Sequence, residues 1–484
     1  MAVDIFQCKN INILVYVLVA LFGIGSWVDI NGLWVELPVM VPHLPEGWKL
    51  PSYLSVIIQM ANIGPLLVTA MYVFCKSYMK ERVAVYAVLG IGATSCLLMS
   101  FFWKETTYIA GDFHSTALLV LQFFLALTDC TTSVLFLPFM ATFKAEYMTG
   151  YFIGEGLSGL VPSVVALGQG VGQLTCKNIS SFNSTTNVTS YSIQPIYHSI
   201  RFSVEEFFYF LCAMLIISIV SFTILNYTSY CKKEKVKHQD DYEEVESSND
   251  NQMMSSYELN PDQPYSISAQ NSANHSNEFI NPSALSSRNQ LMKKNKQLDI
   301  NSKSVDIIQF REILSTKLFI YYLVLTAWVN CLSNGALPSL QTYSTLPFGN
   351  DAYHLSATLA NIANPLACLV AFFVTVKSSI VISFLTFLGT AIAGYIISTA
   401  VESPNPVLYN TTAGSVIVIA AWILVVFTLT FVKVSIAGIF REEGKKALLW
   451  IGGISQVGSA VGAIVTFVLV NVYEMFESAP TCQS

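Results

Sequence analysis

The sequence predicts an all-α integral membrane protein with eleven transmembrane helices, divided into pseudo-repeated halves of six and five. The first observation is composition: the 484 residues are 53% hydrophobic and only 12% charged, whereas soluble globular proteins carry about 25% charged residues. The second is the number of apolar segments long enough to cross a bilayer. The third is a hairpin-like sequence pattern that occurs once in each half.

A helical span needs about 20 mainly apolar residues, and eleven segments qualify. The first apolar run is not followed by a small-residue cleavage site before Trp27 and Asp29, so we interpret it as a retained span rather than a signal peptide. The predicted spans are 11–30, 52–75, 83–103, 113–140, 151–174, 204–230, 317–338, 354–376, 379–400, 412–435 and 447–472.

Two polar regions set the predicted domain organisation. Residues 176–203 form a loop rich in Ser, Asn and Thr inside the first half, 1–230. Residues 231–315 combine a lysine cluster, an acidic run and a Ser/Asn/Gln-rich tract without apolar periodicity, which is typical of a disordered loop. The five-helix half follows at 316–484.

Basic residues predict a cytoplasmic N-terminus and an extracellular C-terminus. Lys76, Lys144, Lys377 and Arg441 lie in alternate loops, together with the lysine cluster after span six. Under the positive-inside rule these loops are cytoplasmic. Glycosylation sequons are an independent check, because oligosaccharide is added on the lumenal side. The predicted acceptors all fall in loops assigned to the extracellular side: Asn178, Asn183, Asn187 and Asn410.

The hairpin-like pattern relates residues 31–66 to residues 334–366. In both copies an Asn-Gly pair precedes Leu-Pro, then a Tyr/Leu/Ser motif, then an Asn-Ile segment that ends in Pro-Leu. Paired hairpins of this kind indicate a transporter with duplicated halves. Chance is the alternative, since Asn, Gly and Pro are common where membrane helices break. The predicted topology places Asn31 and Asn334 at the extracellular end of the first helix of their halves.

Polar side chains inside spans are the candidate functional residues, because an uncompensated polar group in hydrocarbon is costly. Amides, hydroxyls and aromatic rings predominate, which suits a neutral, heterocyclic ligand with hydrogen-bonding groups and a stacking face. The binding candidates from this criterion are Trp27, Asn31, Glu36, Gln59, Asn62, Thr132, Asn330, Asn334, Asn361 and Asn364; Gln456 is also polar. The deep ionisable residues that could couple protons are Asp129, Glu155 and Lys433.

Structural explanations compete with each functional one. An Asn or Thr between helices often serves only as interhelical hydrogen-bond glue. Trp27 and Trp34 fit an interfacial aromatic belt, and Glu36 fits a solvated position at the outer mouth. Lys433 fits a side chain that snorkels to the cytoplasmic edge.

Other function classes lack their motifs. The sequence has no Walker motif, metal-ligand spacing, nucleophile elbow or Gly-rich phosphate loop, so we expect no enzyme activity, no metal and no cofactor. The net charge of −6 and the lack of a basic stripe argue against a nucleic-acid partner, and leave the lipid bilayer as the expected environment.

Cysteine placement permits one disulfide. Most of the ten cysteines lie inside spans, where they are expected to act as small apolar residues. Cys176 and Cys482 fall on the predicted extracellular face, and an oxidising setting allows a bond between them. The sequence does not establish their separation.

Several motifs together resemble the eukaryotic riboflavin transporter family, solute carrier family 52. The similarity covers nearly all spans and is closest to the intestinal-type vertebrate member. Matching stretches include GIGSWVDINGLWVELPVMVPHLPEGWKLPSYLS at 23–55, ANIGPLL at 61–67, GEGLSGLVP at 154–162, NGALPSLQTYSTLPFG at 334–349 and AYHLSATLANIANPLA at 352–367. Where the family often has a Cys after span nine, this chain reads SPNP at 403–406, so Cys482 has only Cys176 or no partner.

The resemblance implies sodium-independent uptake of riboflavin (vitamin B2) at the plasma membrane by alternating access. It also implies a fold similar to the equilibrative nucleoside transporters, a variant of the major facilitator architecture. Amides of spans one, two, seven and eight would meet the polar groups of riboflavin, with Gln341 nearby and Tyr343 or Trp27 stacked on the ring. Because family members serve as retroviral receptors, docking of a viral envelope protein on the outer loops is a further implication.

Three alternatives stay open at this point. The chain could carry another neutral heterocycle, such as a nucleoside. It could be a receptor that moves no solute. It could also be a scaffolding membrane protein whose working part is the loop at 231–315.

Overall fold

The computed structural model describes residues 12–74, 80–109, 111–144, 146–171, 174–183, 188–197, 200–235, 314–443 and 445–478. These residues are mostly helical, which confirms the predicted all-α membrane architecture. The described residues of 12–235 and 317–478 belong to one compact unit, and all contacts reported below lie within it. The loop predicted to be disordered lies outside the described residues, except at its two ends.

The first half consists of nine helices and two hairpins within the described residues. The first predicted span is replaced by two helices, α1 (Ile13–Ile24) and α2 (Val28–Met40), and the second by α3 (Leu50–Ala61) and α4 (Ile63–Phe74). The helices are α1 (Ile13–Ile24), α2 (Val28–Met40), α3 (Leu50–Ala61), α4 (Ile63–Phe74), α5 (Glu81–Phe102), α6 (Thr116–Ala141), α7 (Glu146–Gln169), α8 (Val204–Tyr227) and α9 (Ser229–Lys232); the antiparallel hairpins are β1 (Thr107–Ile109) with β2 (Asp112–His114), and β3 (Leu174–Asn183) with β4 (Val188–Tyr197).

The second half begins with a span that contains a π-helical segment. This π segment (Cys331–Ala336) joins two α-helices without a turn between them. The helices of this half are α10 (Thr316–Asn330), α11 (Leu337–Thr345), α12 (Asn350–Phe373), α13 (Ser379–Val401), α14 (Thr412–Glu443) and α15 (Lys445–Asn471).

The number of spans agrees with the prediction. Within the described ranges, ten helices, some of them joined end to end, are long and apolar enough to cross a membrane. The helix pair Ile13–Ile24 and Val28–His43, bent by 55°, brings the number to eleven when it is counted as one broken span.

The predicted end of the first span, at residue 30, is wrong. The chain bends after Ile24, and α2 then continues to Met40. A search for apolar segments does not find this second helix, because Trp34, Glu36 and Pro38 make its sequence less apolar than a typical span. The expectation that Asn31 lies at the end of its helix is therefore also wrong.

Asn334 likewise lies inside its span rather than at its end. The π segment that contains it is followed by α11 and by a 3₁₀ turn at Leu346–Phe348. The first copy of the hairpin pattern has a similar 3₁₀ turn at Val41–His43 after α2. Both Asn-Gly pairs therefore lie at middle depth, with about three turns of helix between them and the following loop.

Glycines bring the first and fifth spans of each half into close contact. In the first half, a Cβ on Gly23 would lie 2.5 Å from the carbonyl oxygen of Tyr151, so α1 and α7 touch through their backbones. In the second half, Cβ atoms on Gly458 and Gly462 would collide with carbonyl oxygens of Ala327 and Cys331. Small residues permit such backbone contact between membrane helices. The same span pair uses it in both halves, which supports the duplication.

Loops at one end of the bundle carry the sequons, and we call this the sequon end. Asn178 and Asn183 lie on β3, Asn410 is exposed in the turn between α13 and α14, and Asn187 lies outside the described residues. Cys176 is also on β3, opposite Pro195. Its proposed partner Cys482 lies outside the described residues, so the disulfide stays a prediction. The opposite end, which includes Lys144 and Lys377, is called the lysine end.

Candidate functional site

Two amides from different halves meet near the middle of the bundle. Asn361 of α12 donates from Nδ2 to the backbone oxygen of Asn31 in α2, at 3.4 Å. Gly159 of α7 faces both residues, since a Cβ there would lie 3.3 Å from Asn31 Nδ2 and 3.8 Å from Asn361 Oδ1. The missing side chain leaves room for the two amides between α2, α7 and α12.

A second contact between the halves involves the break between α3 and α4. Asn62 occupies this break and donates to Gln59 Oε1 at 3.3 Å and to Gln456 Oε1 of α15 at 3.0 Å. The break between α3 and α4 thus falls at Asn62 itself, three residues after Gln59. Gln456 completes this group from the other half.

The second half contributes a chain of polar side chains around the π segment. Lys433 Nζ donates to Ser333 Oγ and to Asn334 Oδ1, both at 3.2 Å. Asn334 Nδ2 donates in turn to Asn330 Oδ1 at 3.1 Å and to Ser459 Oγ at 3.4 Å. Isolated π-helical turns occur frequently at functional sites, and this one aims Ser333 and Asn334 at the same lysine.

Several of these side chains are exposed although they lie in the middle of spans. Asn334, Asn364 and Gln456 are all exposed, and Asn364 Oδ1 accepts a hydrogen bond from Thr430 at 2.9 Å. Amides at this depth require polar partners or water. Their exposure is what a water-filled space between the halves would produce.

Two of the structural explanations considered from the sequence, a solvated Glu36 and a Lys433 that extends to the cytoplasmic edge, are wrong. Glu36 is not solvated: its side chain is fully buried, and its Oε1 accepts a hydrogen bond from Gln169 Nε2 at 2.9 Å. Lys433 does not extend to the lysine end, because its Nζ contacts Ser333 and Asn334. About ten residues, or roughly 15 Å of helix, separate it from the end of α14.

Some predicted site residues lie elsewhere. Thr132 is buried and donates to the backbone oxygen of Ser26 at 2.8 Å, so it caps a carbonyl that the α1–α2 bend leaves free. Trp27 is half-buried in the same bend. Gln341 is buried near the sequon end. The ring of Tyr343 contacts Trp48 and Phe476, with centroid distances of 5.7 and 5.5 Å, and is not beside the central amides.

The two halves are joined at the sequon end by polar contacts. Thr342 Oγ1 donates to the backbone oxygen of Trp48 at 2.6 Å, and Asn471 Nδ2 donates to Ser52 Oγ at 2.8 Å. Lys49 forms an ion pair with Glu474 at 2.7 Å, and this hydrogen bond and charge lower the pKa of the Glu474 carboxyl. Together with the Trp48–Tyr343 contact, these interactions close this end.

Two ion pairs at the lysine end each lie within one half. Lys144 binds Glu234 at 2.7 Å, and the pKa of Glu234 is lowered by this bond and by a hydrogen bond from Tyr147. Lys377 pairs with Glu442 in the second half. These two pairs stabilise each half separately, in contrast to the contacts between halves at the sequon end.

Several participants, Ser459 and Thr430 among them, were not among the predicted site residues. Ser333 and Gln169 contact Lys433 and Glu36, and Asp29 lies beside Asp129. The carboxyl of Asp29 within a predicted span was a usable signal, but the partners of the others depend on packing. Among the residues that the structure describes, no group of three or more His, Cys, Asp or Glu side chains could hold a metal ion.

Comparison with known proteins identifies the family. The family profile described as "Solute carrier family 52, riboflavin transporter" matches residues 11–478. This chain belongs to that family. "Riboflavin transporter 2" of Salmo salar is 42% identical over 98% of this chain and 99% of its own. "Solute carrier family 52, riboflavin transporter, member 3" of Homo sapiens is 39% identical over 97% and 98%, respectively.

A solved structure supports the fold assignment. The crystal structure of a POT family transporter in complex with 5-aminolevulinic acid matches with a TM-score of 0.50 and 10% identity, covering 95% of this chain and 90% of that one. At this identity the likeness shows a shared fold alone. It agrees with the major facilitator-type architecture expected from the sequence.

Proposed function

We propose that this protein carries riboflavin across the plasma membrane by alternating access, and that the central amides bind the substrate. Family membership and relatives named riboflavin transporters support this function. The observation that carries the site is the pair of contacts across the halves, Asn361 with Asn31 and Asn62 with Gln456. A substrate that binds between the halves can replace these hydrogen bonds with its own.

The chemistry of the site fits a neutral substrate. Each amide offers donors and acceptors, which suits the imide and carbonyl groups of the isoalloxazine ring and the hydroxyls of the ribityl chain. The ammonium group of Lys433 donates to Ser333 and Asn334, and with three N–H bonds it keeps a donor for a carbonyl or hydroxyl of the substrate. No reacting group is required, in keeping with a transporter rather than an enzyme.

The contacts at the sequon end support an inward-facing conformation. We propose that this end is extracellular, which follows the predicted orientation, and Asn410 is exposed there as a glycan acceptor must be. The halves would then rock about the central site, so that the Lys49–Glu474 pair parts while the lysine end closes. Docking of a viral envelope protein on the extracellular loops stays a prediction from the family resemblance.

Uptake of labelled riboflavin by cells that express the chain tests both function and site. We expect saturable uptake that excess nucleosides do not inhibit. Asn334→Ala and Asn361→Ala should reduce uptake about tenfold or more at equal surface abundance, because the first leaves the buried Asn330 without its donor and the second removes the contact to Asn31 across the halves. Asn405→Ala, in an exposed turn, is the matched control.

The outcomes separate the two parts of the proposal. If the unaltered protein reaches the cell surface and shows no saturable riboflavin uptake, the proposed function is wrong. If it transports riboflavin and both site variants match the Asn405→Ala control, only the proposed site is wrong.

A further inference from the structure

Two carboxyl groups lie buried at the bend between α1 and α2. Asp29 is in the first turn of α2 and Asp129 is on α6, and both side chains are fully buried. Asp129 Oδ2 accepts a hydrogen bond from the backbone N–H of Ile30 at 2.8 Å. The carboxyls are close enough to interact electrostatically. Asp129 thus caps α2 from another helix, with Asp29 beside it.

Most of the oxygens of this pair have no hydrogen-bond donor. Both oxygens of Asp29 and Oδ1 of Asp129 lack a partner among the described residues. Two ionised carboxylates at close range in a protein interior repel each other and have lost their hydration. Neighbouring carboxyls in such a setting share one proton between them, as the aspartic-protease pair does.

Among the residues that the structure describes, no positively charged side chain faces the pair. The titratable side chains that face it are Cys96 on α5, Cys212 on α8 and Cys130 on α6. The thiols of Cys96 and Cys212 donate to backbone oxygens, at 3.4 and 3.6 Å, rather than to the carboxyls. Asp29 Oδ2 itself lies against Gly92 of α5, 3.2 Å from where a Cβ would be. A proton is therefore the charge that balances the pair.

A buried glutamine gives a second, independent indication. Gln122 is fully buried, and neither its Oε1 nor its Nε2 has a hydrogen-bond partner in the described part of the chain. It precedes Asp129 by two helical turns on the same face of α6, roughly 10 Å nearer the sequon end. Polar atoms without a described partner therefore lie both at the acid pair and, at Gln122, closer to the sequon end. A proton that enters from outside would come from that end.

We propose that Asp29 and Asp129 form a proton-binding site that gains and loses one proton during the transport cycle. This inference rests on the proposed transport function. The proton comes from water, forms an O–H bond with one carboxyl and returns to water. Because Asp129 holds the N-terminus of α2 through Ile30, a change in its charge alters how firmly that helix end is held. Asn31 is the next residue along, so proton binding and substrate binding act on the same helix.

Thermal unfolding of the purified full-length protein tests proton binding without requiring transport. A native state that holds one more proton than the unfolded chain loses stability as pH rises. We therefore expect the unfolding temperature to fall between about pH 5 and about pH 8, and Asp29→Asn to reduce this dependence. Asp129→Asn, which keeps an oxygen for Ile30, should do the same. The matched control is Asp112→Asn, an exposed carboxyl on β2.

Riboflavin uptake tests the link to transport. Uptake should depend on external pH in the unaltered protein and in Asp112→Asn, and the dependence should be lost in Asp29→Asn at equal surface abundance. Replacing sodium with choline should change nothing; an effect of sodium that both pair variants abolish would assign the site to that ion and overturn the proposal. Unchanged pH dependence of unfolding and uptake in both pair variants would also overturn it. Should the unaltered protein fail to take up riboflavin, the unfolding measurements still decide the proton site.

Discussion

Lys433 determines how the amide of Asn334 is oriented. A lysine ammonium group only donates hydrogen bonds, so the atom of Asn334 that faces it must be Oδ1. Nδ2 is then directed to Asn330 Oδ1 and Ser459 Oγ. A single charged side chain therefore fixes which donors and acceptors the π segment presents to the centre of the bundle.

Replacement of Lys433 by methionine should impair riboflavin transport. Lys433→Met keeps most of the length of the side chain but removes the donors to Ser333 and Asn334, which frees the Asn334 amide to turn. A hydrogen bond to a charged group contributes about 1.5–3 kcal/mol, so uptake should fall about tenfold or more. Concentration-dependent uptake at equal surface abundance measures this. Lys377→Met, which removes an exposed ion pair with Glu442, is the control, and equal uptake by both variants would contradict the role of Lys433.

Residue types in the spans could identify some of the amides of the candidate site. An amide in hydrocarbon must find a partner, so Asn31, Asn62, Asn334 and Asn361 could be chosen from the sequence. The structure places Asn31, Asn62 and Asn361 at contacts between the halves, and Asn334 beside Lys433. The partner of each residue could not be predicted. Tyr343 shows the difficulty: its ring suits stacking on a ligand, but its position on α11 brings it to Trp48 and Phe476 instead.

At the scale of elements, the contact between the first and fifth spans is the most sensitive packing in each half. In the second half, α15 approaches α10 and the π segment so closely that Gly462 contacts the backbone at Cys331. Backbone atoms cannot move aside as the end of a flexible side chain can. The π segment therefore keeps its position only if α15 presents glycine there.

Two glycine substitutions on α15 should have opposite effects on stability. A Cβ at Gly462 would collide with the Cys331 carbonyl, and overpacking of this kind costs about 1–3 kcal/mol. A Cβ at Gly453 would have no atom within 4 Å, and alanine is the better helix former by about 1 kcal/mol. Gly462→Ala should therefore unfold at a lower temperature, and Gly453→Ala at an equal or higher one. Equal unfolding temperatures for the two purified variants would show that the close contact is absent.

The bends were harder to predict than the spans. Hydropathy identifies apolar length, so it found the eleven segments, but it does not register a change of helix direction. The bend after Ile24 depends on contacts from other helices: Ser218 donates to the Phe22 oxygen, and Thr132 donates to the Ser26 oxygen, both at 2.8 Å. Sequence reasoning cannot assign such partners before the packing of α6 and α8 against α1 is known.

At the scale of the whole molecule, the closure of the sequon end is held by several weak contacts. The Lys49–Glu474 pair is exposed, and ion pairs of this kind contribute little in water. Aromatic contacts such as Trp48–Tyr343 contribute about 0.5–1.5 kcal/mol beyond burial. A modest difference in the free energy of substrate binding between the two conformations is enough to open a closure of this strength. A carrier that alternates between two conformations requires this.

Cys368 provides a direct test of which end is open. It is an exposed residue on α12, and its electrostatic neighbours are Lys433 of the second half and Glu155 of the first, so it lies beside the central site. With the sequon end closed, a membrane-impermeant maleimide should label Cys368 about tenfold faster from the cytoplasmic side than from outside, in proportion to the population of the inward-facing state. The labelling that is lost in Cys368→Ser is the labelling of Cys368, which separates its signal from that of the other cysteines. Riboflavin should slow the reaction by occupying the space beside Lys433, and faster labelling from outside would show that the protein rests in the opposite conformation.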